Sequence, residues 1–149
     1  VVSQYSRDNG RTPFQWDDSK HAGFTNGTPW LQVNPNYVRI NAKEQEQNSE
    51  SMLNFYRRLS SLRRSEKYED ILVYGETIPY LEEEHGLMAY FRKGEIQDIF
   101  VAGNFLEEEK VVPLQDPREK QVLLSNADVD WAGEGLILKP FQVVVLSVG

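Results

Sequence analysis

Two arginines four residues apart, Arg7 and Arg11, stand in the run SRDNGRTPFQW (Ser6 to Trp16) among an acid, two amides and two aromatic rings. A guanidinium presents a rigid fork of donors that fits vicinal hydroxyls and carboxylates alike. Such a pair suits a loop that holds a sugar, and Arg7 is read either as a sugar contact or as a loop-bracing ion pair. Asp8 is a candidate partner for Arg11, and Asn9 for hydrogen bonds within the loop. The segment continues as DDSKHAGFTNGTPW to Trp30. Phe14, Trp16, Phe24, Trp30 and Tyr37 offer ring faces on which a pyranose can pack, and tryptophan keeps an N–H for a hydroxyl. The same rings also fasten loops to cores. That reading is preferred for Trp16, Trp30 and Tyr37, while Phe14 and Phe24 are kept as candidate sugar contacts.

Other chemistry is scarce. Asp17 and Asp18 are adjacent, so on an extended chain their carboxyls point to opposite sides, and a loop role is the simpler one. His21 and His85 lie far apart, with no ligand spacing to each other or to a carboxylate cluster, so neither a metal nor a cofactor is expected. Cysteine is absent, which excludes disulfides, thiolate metal sites and a cysteine nucleophile and mildly favours a reducing compartment. No catalytic residue can be assigned within the chain.

The elements that would carry these residues change character along the chain. Residues 1–48 contain Gly10, Pro13, Gly23, Gly27, Pro29 and Pro35 and read as mostly loop, of a length that normally needs support from elsewhere. Asn48, Ser49 and Glu50 suggest a helix start, and Met52, Phe55, Tyr56, Leu59 and Leu62 follow at helical spacing to about Arg64. Arg57, Arg58, Arg63 and Arg64 complement that helix's dipole. From Ile71 the period shortens to ILVYG, TIPYLEE, GLMAYFRK, QDIFVAGNF, KVVPL, KQVLLSN, LILKP and FQVVVLSV. Eight such runs between turn residues predict an antiparallel β-sandwich. Alternation in GLMAYFRK and QDIFVAGNF predicts one buried and one wet face for each strand, and WAGEG (Trp131 to Gly135) reads as a loop of the sandwich.

Charge marks the same boundary. Up to Lys67 there are ten Lys or Arg against seven Asp or Glu; from Tyr68 onward there are six against sixteen. The acidic part includes Glu82 to Glu84 and Glu107 to Glu109, read as solvated loops, and would repel phosphates, so nucleic acid is not an expected partner. No apolar run of 18 residues exists, and no helical membrane span is expected. VVSQYSRDNG has no basic start followed by an apolar stretch, and localisation stays open with the cytoplasm favoured, since an upstream segment would hide a leader.

The run SRDNGRTPFQW, with the AGFT and PW that follow, resembles the active-site segment late in the catalytic barrel of the oligo-1,6-glucosidase and α-glucosidase branch of the α-amylase superfamily, usually worded SRDNARTPMQWD. The resemblance continues through VNPNYVRINAKEQ (Val33 to Gln45) and LRRSEKY (Leu62 to Tyr68), and more loosely to the C-terminus, where Leu138-Lys139-Pro140 fits the family's closing Leu-x-Pro strand. Gly10 and Phe14 depart from the usual Ala and Met, which bears on fine specificity.

The resemblance implies that residues 1–67 are the last loop and helix of a (β/α)8 barrel and that 68–149 are the β-sandwich following it. A barrel needs roughly 250 residues. The family's nucleophilic aspartate, acid glutamate and Asn-His-Asp carboxylate precede the SRDN run, and none of those motifs occurs here. The expectation is therefore a C-terminal fragment, inactive alone, of a retaining exo-acting α-glucosidase that takes short α-1,4 or α-1,6 gluco-oligosaccharides. By the same resemblance Arg7 holds the terminal sugar of the −1 subsite, Arg11 braces it, and the fragment packs on its own catalytic barrel. Trehalose-6-phosphate hydrolase and trehalose synthase have similar segments and remain alternatives, as does a non-catalytic, carbohydrate-binding or structural sandwich.

Overall fold

The computed structural model describes residues 10–149. The chain divides into two compact units, the first ending at Tyr56 and the second spanning Arg57–Gly149.

In the first unit, proline, glycine and asparagine limit regular structure to short pieces. Turns of 3-10 helix occupy Lys20–Gly23 and Pro35–Val38. Trp16 N–H donates to the Ala22 carbonyl, and His21, Ala22 and Gly23 take left-handed backbone angles to close the loop. Gly23 is the residue this path requires, because a Cβ there would lie 2.7 Å from an Asp17 carboxylate oxygen. A helix not anticipated from the sequence, α1 (Ala42–Gln47), follows Asn41. Asn41 is buried; its Oδ1 accepts from Glu44 N–H at 2.9 Å and its Nδ2 donates to the Tyr37 carbonyl at 2.8 Å, so one amide caps the helix and ties the preceding turn to it.

The amphipathic helix is present as α2 (Met52–Arg63). Its start lies later than Asn48 to Glu50. Ser51 Oγ accepts from Asn54 N–H, and Gln45 Oε1 from Leu53 N–H, so part of the capping comes from α1, which local spacing could not reveal. The helix passes from one unit into the other at Tyr56 and Arg57.

The second unit is the expected antiparallel sandwich. Its strands are β1 (Glu76–Tyr80), β2 (Leu87–Lys93), β3 (Asp98–Asn104), β4 (Lys110–Pro113), β5 (Lys120–Ser125), β6 (Asp130–Ala132), β7 (Gly135–Leu138) and β8 (Val143–Val148). One sheet has the order β1-β2-β3-β8-β5 and the other β4-β7-β6. Phe91 faces Phe100 and Ala89 faces Ala102 across β2 and β3, and Leu146 and Val144 continue that face on β8. These side chains meet Val112, Leu114, Leu136 and Leu138 in one core.

Three details differ from the sequence reading. Ile71 to Gly75 are not a strand, since Asp70–Tyr74 form a π-helical turn. Trp131 and Ala132 belong to the short strand β6, and only Gly133 and Glu134 make the turn. All seven residues of β3 are buried, because the π turn packs against β2 and β3 and its Ile71, with Tyr68, is buried too. The two acidic triplets lie in exposed connections after β1 and β3.

Candidate functional site

Arg7, Asp8 and Asn9 lie outside the described residues. The described part of the predicted site begins at Gly10, and its rings are turned outward. The Arg11 guanidinium carbon sits 5.6 Å from the centre of the Trp30 ring, a cation–π distance, and Trp30 is 79% exposed. Phe14 and Trp16 contact each other with ring centres 4.6 Å apart and planes tilted by 59°. Phe24 is exposed and follows the Lys20–Gly23 turn, its N–H donating to the His21 carbonyl at 3.1 Å. The structure thus pairs Arg11 with Trp30 and Phe14 with Trp16, and leaves Phe24 on a separate loop.

Phe14 also lines a concavity of about 480 Å³ with Asn36, Ile40, Gln45, Met52 and Tyr56. Gln15 Nε2 donates to the Ile40 carbonyl, and Ala42 and Lys43 N–H groups donate to the Gln15 and Trp16 carbonyls at 2.9 and 3.0 Å. The loop carrying Phe14 is therefore hydrogen-bonded to the start of α1 as if to a strand. Asn36 Oδ1 is buried in this region with no partner among the described residues, although its backbone N–H is satisfied by Asn34 Oδ1 at 3.1 Å. Motif reading passed over Asn36; the only signal for it was its place inside VNPNYVRINAKEQ.

The remaining candidates are loop supports. Asp17 accepts from the Ser19 hydroxyl and from Ser19 N–H at 2.9 Å, and these bonds, the hydroxyl's first, hold its carboxyl below the ordinary aspartate range. Asp18 pairs with Lys43 at 3.7 Å. Among the described residues no group of three His, Cys, Asp or Glu side chains converges as metal ligands. No helix among them is long and apolar enough to cross a membrane.

The family described as alpha amylase, catalytic domain, matches residues 1–75. Among curated relatives, the oligo-1,6-glucosidase of Bacillus cereus is 39% identical over 146 residues, and that of Parageobacillus thermoglucosidasius 42% over 147; each alignment covers 95% of this chain and 26% of the relative. The crystal structure of Bacillus licheniformis trehalose-6-phosphate hydrolase superposes with a TM-score of 0.88 at 37% identity, covering 97% of this chain and 26% of that one. The chain thus spans about a quarter of the length of the proteins it matches. The match over residues 1–75, which include the two-arginine loop and the helix after it, together with this superposition, makes the chain a member of the α-amylase family of glycoside hydrolases.

Proposed function

We propose that this chain is the C-terminal portion of a retaining, exo-acting α-glucosidase that hydrolyses short α-1,4 or α-1,6 gluco-oligosaccharides, and that alone it hydrolyses none. Residues 1–67 are assigned to the end of the catalytic barrel and 68–149 to the β domain behind it. The observation carrying this reading is the 39–42% identity to oligo-1,6-glucosidases over 95% of the chain. Retaining hydrolysis needs two carboxyls about 5 Å apart, one attacking the anomeric carbon and one protonating the leaving oxygen. Those groups are assigned to sequence upstream of Ser6.

The part assigned to this chain is positioning. Arg7 holds the terminal glucose with its planar fork, Arg11 braces the loop from its seat on Trp30, and Phe14 and Phe24 border the sugar. The outward apolar side chains around Phe14, and an Asn36 oxygen without a partner among the described residues, support packing of this unit on the rest of the barrel, since an unsatisfied buried acceptor costs about 1–3 kcal/mol. The likeness to trehalose-6-phosphate hydrolase supports trehalose 6-phosphate as a second substrate reading.

The test is a chimera in which this chain replaces the matching quarter of the Parageobacillus oligo-1,6-glucosidase. It is expected to cleave a nitrophenyl α-glucoside and isomaltose, while the 149-residue chain alone stays at the level of a heat-killed control. In the chimera, Arg7→Ala and Arg7→Lys should both lower kcat as well as KM performance, because contacts to the distorted sugar strengthen in the transition state. Turnover by the chain alone, or normal kcat/KM in Arg7→Lys, overturns the assignment. Preference for trehalose 6-phosphate over isomaltose selects the second reading.

A further inference from the structure

The second unit contains a concavity of about 490 Å³ that none of the chemistry above uses, lined by Lys67, Asp70, Tyr74, Glu95, Ile96 and Gln97 among others. That volume is within the range of small-molecule sites. One wall is the π turn Asp70–Tyr74, a conformation that is rare in proteins and concentrated at functional sites. The opposite wall is the hairpin connection between β2 and β3.

Both walls are held rigidly. The carbonyls of the π turn are taken in succession: Gly75 N–H bonds to Asp70 and Ile71 at 3.0 and 3.1 Å, Arg92 Nε to Ile71 at 3.2 Å, Arg63 Nη1 to Leu72 at 3.1 Å and Arg92 Nη2 to Val73 at 3.3 Å. The hairpin is fixed by buried Asp98, which accepts from Lys93 Nζ at 2.7 Å and from Gly94 N–H at 3.3 Å. At the base the walls touch through glycines. A Cβ on Gly75 would lie 2.6 Å from the Lys93 carbonyl, and one on Gly94 would lie 2.7 Å from Ile71 Cγ1. On the lips, Tyr74 is 79% and Ile96 is 92% exposed.

Two arginines therefore fix a turn that ends on an exposed phenol ring, beside carboxylates, an amide and an ammonium. A ligand there meets an aromatic face, acceptors at Asp70 and Glu95, donors at Lys67, and both at Gln97. The charges are mixed, so a neutral ligand that both donates and accepts suits the cleft better than an ion. We propose that the cleft between the Asp70–Tyr74 turn and the Gly94–Gln97 connection is a surface site for a neutral sugar, one or two pyranose units long, stacked on Tyr74. The choice of gluco-oligosaccharide probes rests on the proposed function; the site itself does not, and an inactive chimera leaves it standing.

The experiment titrates maltotriose and isomaltotriose into the ¹⁵N-labelled 149-residue chain, with glycerol at equal hydroxyl concentration as a control. Saturable amide shifts are expected at residues 67–75 and 93–97 with a Kd of the order of millimolar, as weak exposed stacking and a few solvent-competed hydrogen bonds provide. Tyr74→Ala should weaken binding at least about tenfold, the equivalent of about 1.4 kcal/mol, with sandwich resonances unmoved. Tyr74→Phe, which keeps the ring face, should bind within about threefold, a difference under 1 kcal/mol. The proposal is overturned by absence of saturation at these residues, by equal shifts with glycerol, by shifts confined to the Phe14 region, or by unchanged binding in a folded Tyr74→Ala variant.

Discussion

Residues 10–56 fully bury no large apolar side chain, whereas residues 57–149 enclose a core of them while leaving others, such as Tyr74, Ile96 and Phe105, on the surface. In the first unit Phe14, Trp16, Trp30, Ile40, Met52 and Tyr56 are all exposed, Met52 to 66%. In the second, Phe100, Leu136, Leu138 and Leu146 have no exposure at all. The first unit is shaped by local devices, the Asn41 cap, the Asp17 turn and the left-handed loop at His21 to Gly23; the second by long-range strand pairing around one core. Rings that face outward have little free energy to lose on truncation, whereas enclosed ones lose both transfer energy and packing. Under the proposed function, this is the difference between a barrel segment packed on the rest of its enzyme and a β domain with its own core.

The largest expected effect separates the two directly. Phe100→Ala should destabilise the sandwich by about 3–5 kcal/mol, whereas Phe14→Ala, at a side chain 56% exposed, should cost less than about 0.5 kcal/mol. Urea unfolding followed by Trp131 fluorescence, with Trp16 and Trp30 changed to Phe, measures the first, and amide exchange across residues 10–48 with both tryptophans kept measures the second. Equal losses would erase the contrast. The same exposed rings should also drive self-association of the chain, and Met52→Lys with Tyr56→Lys should shift it toward monomer in sedimentation velocity. A strict monomer before any substitution, with residues 10–48 resistant to protease, would mean that the loop supports itself.

How far the sequence disclosed this contrast depends on where the determining contacts lie. Strands β2, β3, β5 and β8 were legible because apolar period and flanking turns are local. The apolar stripe of α2 was legible for the same reason, although most of it turned out uncovered. ILVYG was misread because its β-branched residues favour a strand, while Arg63 and Arg92, distant in sequence, capture the turn's carbonyls instead. The polar run AKEQEQ of α1 has no apolar face to betray a helix; Asn41 with Glu44 three residues on was the available signal. The two-arginine loop could be placed in a family from its residue types, but pairing Arg11 with Trp30 required the fold. Tyr74 was hidden within a run taken for a strand, where exposure cannot be told from spacing.

Next in size is the charge cluster around buried Asp98, whose cationic partners Lys93 and Arg118 reach the surface. Burial of Asp98 works against its ionisation, but hydrogen bonds from Lys93, Arg118 and Gly94 outweigh this and leave its pKa below the ordinary value. The Arg118 guanidinium, 2.7 Å from both Asp98 and Asp116 carboxylates, brings Asp116 down to about 2. A carboxyl whose folded pKa is depressed contributes stability that is fully present above its unfolded pKa and disappears as pH falls through the folded one. The sandwich should therefore lose stability between about pH 4, the unfolded aspartate value, and pH 2. Arg118→Met should cost about 1 kcal/mol near neutral pH, because the guanidinium is 39% exposed and solvent screens its pairs, and should flatten that acid limb. An unchanged acid limb in Arg118→Met would show that other carboxylates set it.

The smallest expected effect lies in the first unit, where Arg11 rests over Trp30. Replacing Arg11 is an ambiguous probe, because this residue makes a further interaction. Trp30→Leu is cleaner: it keeps apolar bulk and removes the ring quadrupole that attracts the guanidinium. At a ring exposed to this degree a cation–π contact contributes about 0.5–1 kcal/mol, so the loss should appear as faster amide exchange in residues 10–16 and 30–33, with no change in the urea midpoint of the sandwich. Lysine at position 11 can still stack its charge on Trp30 but lacks the planar fork. With Trp30 intact, Arg11→Lys should therefore exchange faster than wild type but more slowly than Trp30→Leu. If Trp30→Leu leaves exchange in both segments untouched, the contact between them contributes nothing measurable, and the bracing role assigned to Arg11 must rest on its other interaction.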